Sequence, residues 1–348
     1  MVSASERPAS RATMRDVAAL AGVGAKTVSR VINNEAGVSE AKRERVLSAV
    51  DRLDYRHNWA ASHLRRGGDR TGVIAALVQD VGNHFSATLL RAIEDAADER
   101  GMALLAASLD EQVDRERDRV RALVSRRVDG LVLMPATATQ DYLVGERRAG
   151  MPIVFVDRRP HGVDFDSVAV DNEAGAYAGV QHLLQQGHRR IGLLADLVRI
   201  ETARMRIAGY KRALTDAGIT PDPTLMHTDL HDISASSTAM AHLLDSPDPP
   251  TAVFATRNVT AIGALHVINN RGLQRTLALV GFDDFPIADL TDPPLTVIKQ
   301  DITALGHAAA QRLWARLDGD TAPPQHLTIP HQLIPRGSGE IPPDPART

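Results

Sequence analysis

"AGVGAKTVSRVINN" (residues 21–34) decides how this chain begins, because its letters fit two unrelated structures. Gly, Lys and Thr crowd together as they do in a loop that cradles nucleotide phosphates. Such a loop needs G-x-x-x-x-G-K-[ST] between a strand and a helix. With Lys26 and Thr27 as the K-T pair, glycines are required at 20 and 25, where the chain carries Leu20 and Ala25. The preceding segment also reads as helix, so its amides would not converge on a phosphate. A helix-turn-helix fits instead. Ala18 is small where two helices cross closely, Gly22 suits a turn residue with positive φ, and Val28 and Val31 give the second helix a buried face.

Outward from this turn the helical reading continues. Thr13 with Asp16 forms a capping box for a helix through Ala21. A third helix starts after Ser39, with Val46, Leu47, Val50 and Leu53 along one face. "HNWAASHL" (57–64) has room for two helical turns, and "RRGGDR" (65–70) reads as a linker. Residues 1–71 hold 13 Lys and Arg against 8 Asp and Glu, and the remainder holds 27 against 35, within a net charge of −3. A basic head on an acidic body is the charge distribution of a nucleic-acid module joined to a part that does not touch nucleic acid.

After residue 72 the periodicity changes. VIAALV (73–78), MALLAA (102–107), GLVLM (130–134), PIVFV (152–156), RIGLLA (190–195), TAVFA (251–255) and LALVG (277–281) are short apolar runs separated by amphipathic stretches. Strands apolar throughout, alternating with helices, predict parallel sheets covered on both faces. Seven of them suit two doubly wound units better than one. The tail "SGEIPPDPART" (338–348) is Pro-rich and expected to be disordered, and it has no leucine heptads, so no C-terminal coiled coil is expected.

The 348 residues, 43% hydrophobic and 24% charged, suit two or three compact units. Without cysteine, neither a disulfide framework nor a thiolate metal site is possible. No apolar run approaches a membrane span and no signal-peptide core is present, so the expectation is a cytoplasmic chain with no membrane partner. An enzyme on the same core is the first rival. It lacks support: there is no Gly-x-Ser-x-Gly elbow, no G-x-G-x-x-G and no His pair at metal-ligand spacing, so neither catalytic residues, a metal nor a cofactor is expected. "GHRR" (187–190) reads as a helix end with Gly187 at its cap, and Asp283-Asp284 as a strand-end turn lining a cleft. A solute-binding protein is the second rival, and it would not carry a basic headpiece.

The segment "TMRDVAALAGVGAKTVSRVINNEAGVSEAKRERVLSAVDRLDYRHN" (13–58) resembles the headpiece of LacI-type bacterial repressors. The likeness continues in "DVGNHF" (80–85), "RRVDGLVLMPA" (126–136), "VDNEAGAYAGVQHLLQQGHRRIGLL" (170–194), "RMRIAGYKRAL" (204–214), "PTAVFATRNVTAIGAL" (250–265) and "LVGFDDFPIADLTDPPLTVIKQD" (279–301). It covers residues 13 to about 338. The chain departs from the family pattern at Gly24, where Ser or Thr is usual, at Tyr55-Arg56-His57-Asn58 for Tyr-Arg-Pro-Asn, and at Phe85-Ser86 for an aromatic pair. Arg257-Asn258 replaces an Asn-Asp pair that commonly binds sugar hydroxyls.

The resemblance implies an α/β chain: an all-α helix-turn-helix headpiece (1–56), a hinge helix and linker (57–71), and a two-lobed core (72–340) of doubly wound parallel sheets like periplasmic binding proteins. Lobe one takes about 72–169 and 301–328, lobe two about 170–298 and 329–340, and a disordered tail 341–348. It also implies a transcriptional regulator, a repressor by default, that binds a pseudo-palindromic operator as a homodimer under control of a small effector in the interlobe cleft. Ala25, Lys26 and Arg30 fall where the family contacts bases, and Thr27, Ser29 and Asn33 suit phosphates. Thr13 and Tyr55 join this DNA-facing set. In the hinge, Asn58 caps, Ala61 lets two helices touch and Leu64 wedges into the minor groove. Phe85, Asp157, Arg206, Asn258 and Asp283 are expected in the cleft, with Arg204 and Arg257 nearby and Arg206 as the anchor. Because Arg257-Asn258 makes that corner more positive, a sugar acid or sugar phosphate is placed slightly ahead of a neutral sugar.

Overall fold

The computed structural model describes residues 12–32, 35–55 and 70–344, and the chain divides into two compact units between Thr71 and Gly72. Asn33, Asn58, Ala61 and Leu64 lie outside the described residues, as do residues 345–348.

The first unit contains α1 (Met14–Ala21), α2 (Ala25–Ile32) and α3 (Glu40–Arg52). The α1 capping box is formed: the Asp16 amide donates to Thr13 Oγ1 at 3.4 Å, and the Thr13 amide donates back to Asp16 Oδ2 at 2.7 Å. Gly22, at φ 62°, ends α1 in the left-handed region, where a side chain would be strained. Two residues later the Gly24 carbonyl accepts from the amides of Thr27 and Val28 and opens α2. Val17, Ala18, Ala21, Val28, Val31, Val46 and Ala49 form one small core, with Tyr55 packed at its edge. Leu47 does not join it. One residue beyond Val46 on a helix points about 100° away, so Leu47 is 48% exposed while Val46 and Ala49 take the inner face.

The second unit holds two six-stranded sheets. The first comprises β1 (Val73–Val78), β2 (Ala103–Ser108), β3 (Gly130–Leu133), β4 (Ile153–Val156), β5 (Asp166–Val170) and, from late in the chain, β11 (His326–Ile329), in the order β11-β5-β4-β3-β1-β2. The second comprises β6 (Ile191–Leu194), β7 (Met226–His227), β8 (Ala252–Ala255), β9 (Ala278–Phe282), β10 (Thr296–Gln300) and β12 (His331–Ile334), in the order β12-β10-β9-β8-β6-β7. All pairings are parallel except β10 with β12. The crossover helices are α4 (His84–Asp98), α5 (Val113–Ser125), α6 (Val144–Arg148), α7 (Asn172–Gln185), α8 (Glu201–Asp216), α9 (Ile233–Leu244), α10 (Asn258–Asn270) and α11 (Ile302–Leu317). Asn83, Asp171, Asp232 and Asp301 cap α4, α7, α9 and α11 through side-chain oxygens.

The chain passes between the sheets three times: from β5 to α7, from β10 to α11, which packs on the first sheet, and from β11 to β12. These three crossings join the two lobes. Tight helix packing fixes the second lobe: a Cβ on Gly209 would stand 2.2 Å from the Glu173 carbonyl of α7.

Two expectations need correction. MALLAA (102–107) is apolar throughout yet supplies the edge strand β2, whose Leu105 is 43% exposed, because one flank has no neighbouring strand. The tail is not loose from Ser338. Ser338 Oγ donates to the Leu279 carbonyl at 2.6 Å, Glu340 pairs with His182, and the buried Ile341 accepts from His188 Nε2 at 2.8 Å. Its polar side chains satisfy lobe-two groups, and this ordering outweighs the Pro-rich composition.

Candidate functional site

In the first unit, α2 leaves Ala25, Lys26 and Arg30 exposed and Thr27 and Ser29 half-buried, opposite the Val28 and Val31 face. Arg30 lies 3.7 Å from Glu35, a weak surface pair that a phosphate or base edge can replace. Thr13 is exposed but its hydroxyl donates to Asp16, so its local work is capping. Tyr55 is half-buried against the headpiece core.

In the second unit, the carboxyl ends of the parallel strands converge from both lobes. Asp157 follows β4 and Asp283 follows β9; both have left-handed backbones, φ 70° and 72°, and both are buried. The Asp157 amide donates to Val168 and the Asp283 amide to Ile298, each on the adjacent strand. Arg206, from α8, is held on every side. Its Nε donates to Asn172 Oδ1 at 2.8 Å, its Nη1 to the Thr256 carbonyl at 2.6 Å, and Asp283 lies 3.5 Å away. The guanidinium also stacks 3.7 Å over the Phe282 ring, a cation–π contact. Burial pushes Arg206 down and Asp157 up from their ordinary values, opposed by the carboxylates around the one and by Arg158 and Arg206 beside the other.

Asn258 opens α10 and exchanges two amide hydrogen bonds with Asn83 of the first lobe, both 3.2 Å. Arg257 donates to Asp196 Oδ2 at 2.6 Å and to Gln79 Oε1 at 3.0 Å. Burial opposes the Asp196 carboxylate, but the His231 hydrogen bond and the Arg257 charge hold it at about 2. Phe85 completes the lining.

Arg204 is not part of this cleft. Two residues from Arg206 on a helix, it points to the opposite side, is exposed, and donates to the carbonyls of Val198 and Arg199. The cationic corner is also corrected. Arg158, Arg206 and Arg257 face Asp157, Asp196 and Asp283 across one lining, and Glu111 takes Arg158 in a two-pronged pair at 2.7 and 2.8 Å. With each guanidinium paired, the basis for placing an anion ahead of a neutral ligand disappears.

Sequence reasoning missed Gln79, Arg158, Asp196, Thr256 and Gln300. Their signal was present: Gln79, Asp196 and Thr256 lie within two residues of the end of apolar runs that read as strands, as Asp157 and Asp283 do. Among the described residues, three buried side-chain atoms have no hydrogen-bond partner, Arg158 Nε, Thr256 Oγ1 and Gln300 Oε1, and of these Arg158 Nε lies 3.4 Å from Asp157 Oδ2 in an ion pair. All three residues line this cleft, which retains about 40 Å³ of free room. A larger cavity of about 570 Å³ lies by the hinge, but its Asp284 is already clamped by Arg336 through two bonds of 2.7 Å.

A helix-turn-helix headpiece followed by a hinged, two-lobed α/β core defines the class of ligand-controlled DNA-binding transcriptional regulators. Residues 13–58 match the bacterial regulatory proteins of the lacI family, and residues 180–339 match the periplasmic binding protein-like domain. The chain is 32% identical over 329 residues to the HTH-type transcriptional repressor CytR of Escherichia coli strain K12, covering 94% of this chain and 96% of the relative. The repressor PurR of Aliivibrio salmonicida is 31% identical over 88% of this chain and 92% of its own length. Among solved structures, the lac repressor dimer bound to operator and the anti-inducer ONPF superposes with a TM-score of 0.82 at 29% identity, over 94% of this chain and 99% of that one. The CelR–cellobiose complex gives a TM-score of 0.70 at 33% identity, over 94% of this chain and 100% of that one. This chain belongs to the LacI family of bacterial transcriptional regulators.

Proposed function

We propose that the chain is a repressor that binds a pseudo-palindromic operator as a homodimer and is switched by a small, uncharged, hydroxyl-rich effector in the interlobe cleft. It acts by binding and not by catalysis. The observation that carries the effector reading is the set of unpartnered buried atoms. Gln300 Oε1 offers an acceptor and Thr256 a hydroxyl, and both line one cleft beside Arg158, whose Nε faces Asp157 at 3.4 Å. A polyol satisfies both, because each hydroxyl both donates and accepts. An added negative charge would instead meet Asp157 and Asp283. The complexes of the lac repressor with operator and of CelR with cellobiose support this arrangement by likeness.

On DNA, Lys26 and Arg30 donate to guanine edges with Ala25 packed beside them, while Thr13, Thr27, Ser29, Asn33 and Tyr55 serve the phosphates. Asn58, Ala61 and Leu64 belong to the hinge that kinks the operator centre. Titration calorimetry on the full chain should find heat with ribose, glucose or cellobiose and none with gluconate or glucose 6-phosphate at equal concentration. Arg206→Ala should abolish that heat and any effect of the sugar on operator binding while leaving DNA affinity without sugar within about twofold. Binding of the acids alone, or an intact response in Arg206→Ala, defeats the reading.

A further inference from the structure

Arg257 does more than line the cleft. Asp196 belongs to the second lobe, as Arg257 does, whereas Gln79 directly follows β1 of the first. One guanidinium nitrogen, Nη1, is fixed to Asp196 Oδ2 at 2.6 Å, and the other, Nη2, crosses the cleft to Gln79 Oε1 at 3.0 Å. Asp196 is itself held by the Leu197 amide at 2.8 Å and by His231 Nδ1 at 3.1 Å. The planar fork is thus oriented before it reaches across, and the bridge costs little further side-chain freedom. Beside it the reciprocal Asn83–Asn258 amide pair makes a second crossing at 3.2 Å. The remaining room, about 40 Å³, accommodates waters rather than a sugar ring.

We propose that Arg257 is a tethered clamp whose crossing from Asp196 to Gln79 holds the two lobes closed. Hinged binding domains ordinarily close around a ligand that supplies the contacts between lobes. Here a side chain of the protein supplies one of them, so closure draws on a contact that no ligand has to provide. An effector must enter by breaking the Gln79 crossing or by adding to it. The clamp does not depend on the identity of that effector.

The absence of native cysteine allows a clean test on the full chain. Dyes attached through Arg121→Cys on α5 and His242→Cys on α9, both exposed, report interlobe distance by single-molecule energy transfer. Without ligand the parent should show one narrow population. Gln79→Ala should lower the closed-to-open ratio about tenfold, the scale expected for one hydrogen bond to a charged group. Arg257→Ala should lower it at least as much, and Arg204→Ala, outside the cleft, should leave it unchanged. If Arg257→Ala fails to fold because Asp196 is left buried alone, Gln79→Ala decides, since it keeps the Arg257–Asp196 pair. A parent distributed mainly in the open population, or an unshifted distribution in Gln79→Ala, overturns the clamp.

Discussion

Arginine shows how far one residue's role depends on what faces it. Arg204 and Arg206 are two positions apart, yet one bonds carbonyls at the surface and the other is buried between Phe282 and Asp283. Arg257 looked like added positive charge until Asp196 was seen beside it. Arg30 is the opposite case, exposed on α2 and loosely paired with Glu35 at 3.7 Å. Replacing it by alanine should cost roughly 1–3 kcal/mol of operator affinity and relax preference at one base pair of each half-site. Footprinting across a set of singly substituted operators checks this. Unchanged preference at every position would remove Arg30 from the base-reading set.

Among the elements, strand ends carry the chemistry and helix faces carry the packing. Parallel strands bring their carboxyl ends to one edge of each sheet, so the residues just after β1, β4, β6, β8 and β9 meet although they are far apart in sequence. Six of the seven short apolar runs were legible because burial on both faces leaves no polar alternation, and the seventh, 102–107, is apolar although it lies at the sheet edge. Strands β5, β7, β10, β11 and β12 were not. DSVAV begins with polar residues, Asp166 held by Arg312 and Arg316, and TVIKQ carries an exposed Lys299. Gln300 was missed for that reason: its strand was not recognised. Helix packing makes its own prediction at Gly209, where α8 lies against α7. A methyl group there meets backbone, which cannot yield as a flexible side chain can. Gly209→Ala should lower stability by roughly 1–3 kcal/mol in urea unfolding of the full chain, and an unchanged midpoint would contradict the close approach.

At the scale of the whole molecule, each lobe contains a carboxylate held below its ordinary range. Burial opposes ionisation of Asp166, but Arg316, Arg312 and the Gln325 amide bring it down. Asp196 reaches about 2 against a free value of 3.8. A folded pKa below the unfolded one means stability that is present above pH 3.8 and lost as pH falls through 2. Asp196 alone should contribute about 2 kcal/mol at neutral pH that vanishes in this window. Unfolding curves from pH 5 to pH 2 should show that loss in the parent and a flatter slope in Asp196→Asn. Equal slopes would show that the Asp196–Arg257 pair contributes no pH-linked stability.

The sequence by itself determined the helix-turn-helix, the basic headpiece and the alternating α/β core. These follow from local spacing, net charge and apolar runs, which need no knowledge of distant partners. It also determined the family, and through it the cleft and six of the residues that line it, Phe85, Asp157, Arg206, Arg257, Asn258 and Asp283. Only the tertiary structure decided which charges face one another. Asp196 and Arg257 are 61 positions apart, and Gln79 is 178 positions from Arg257. A buried charge takes its meaning from the group a few ångströms away, and that distance is set by sheet order and hinge crossings rather than by anything local to the chain.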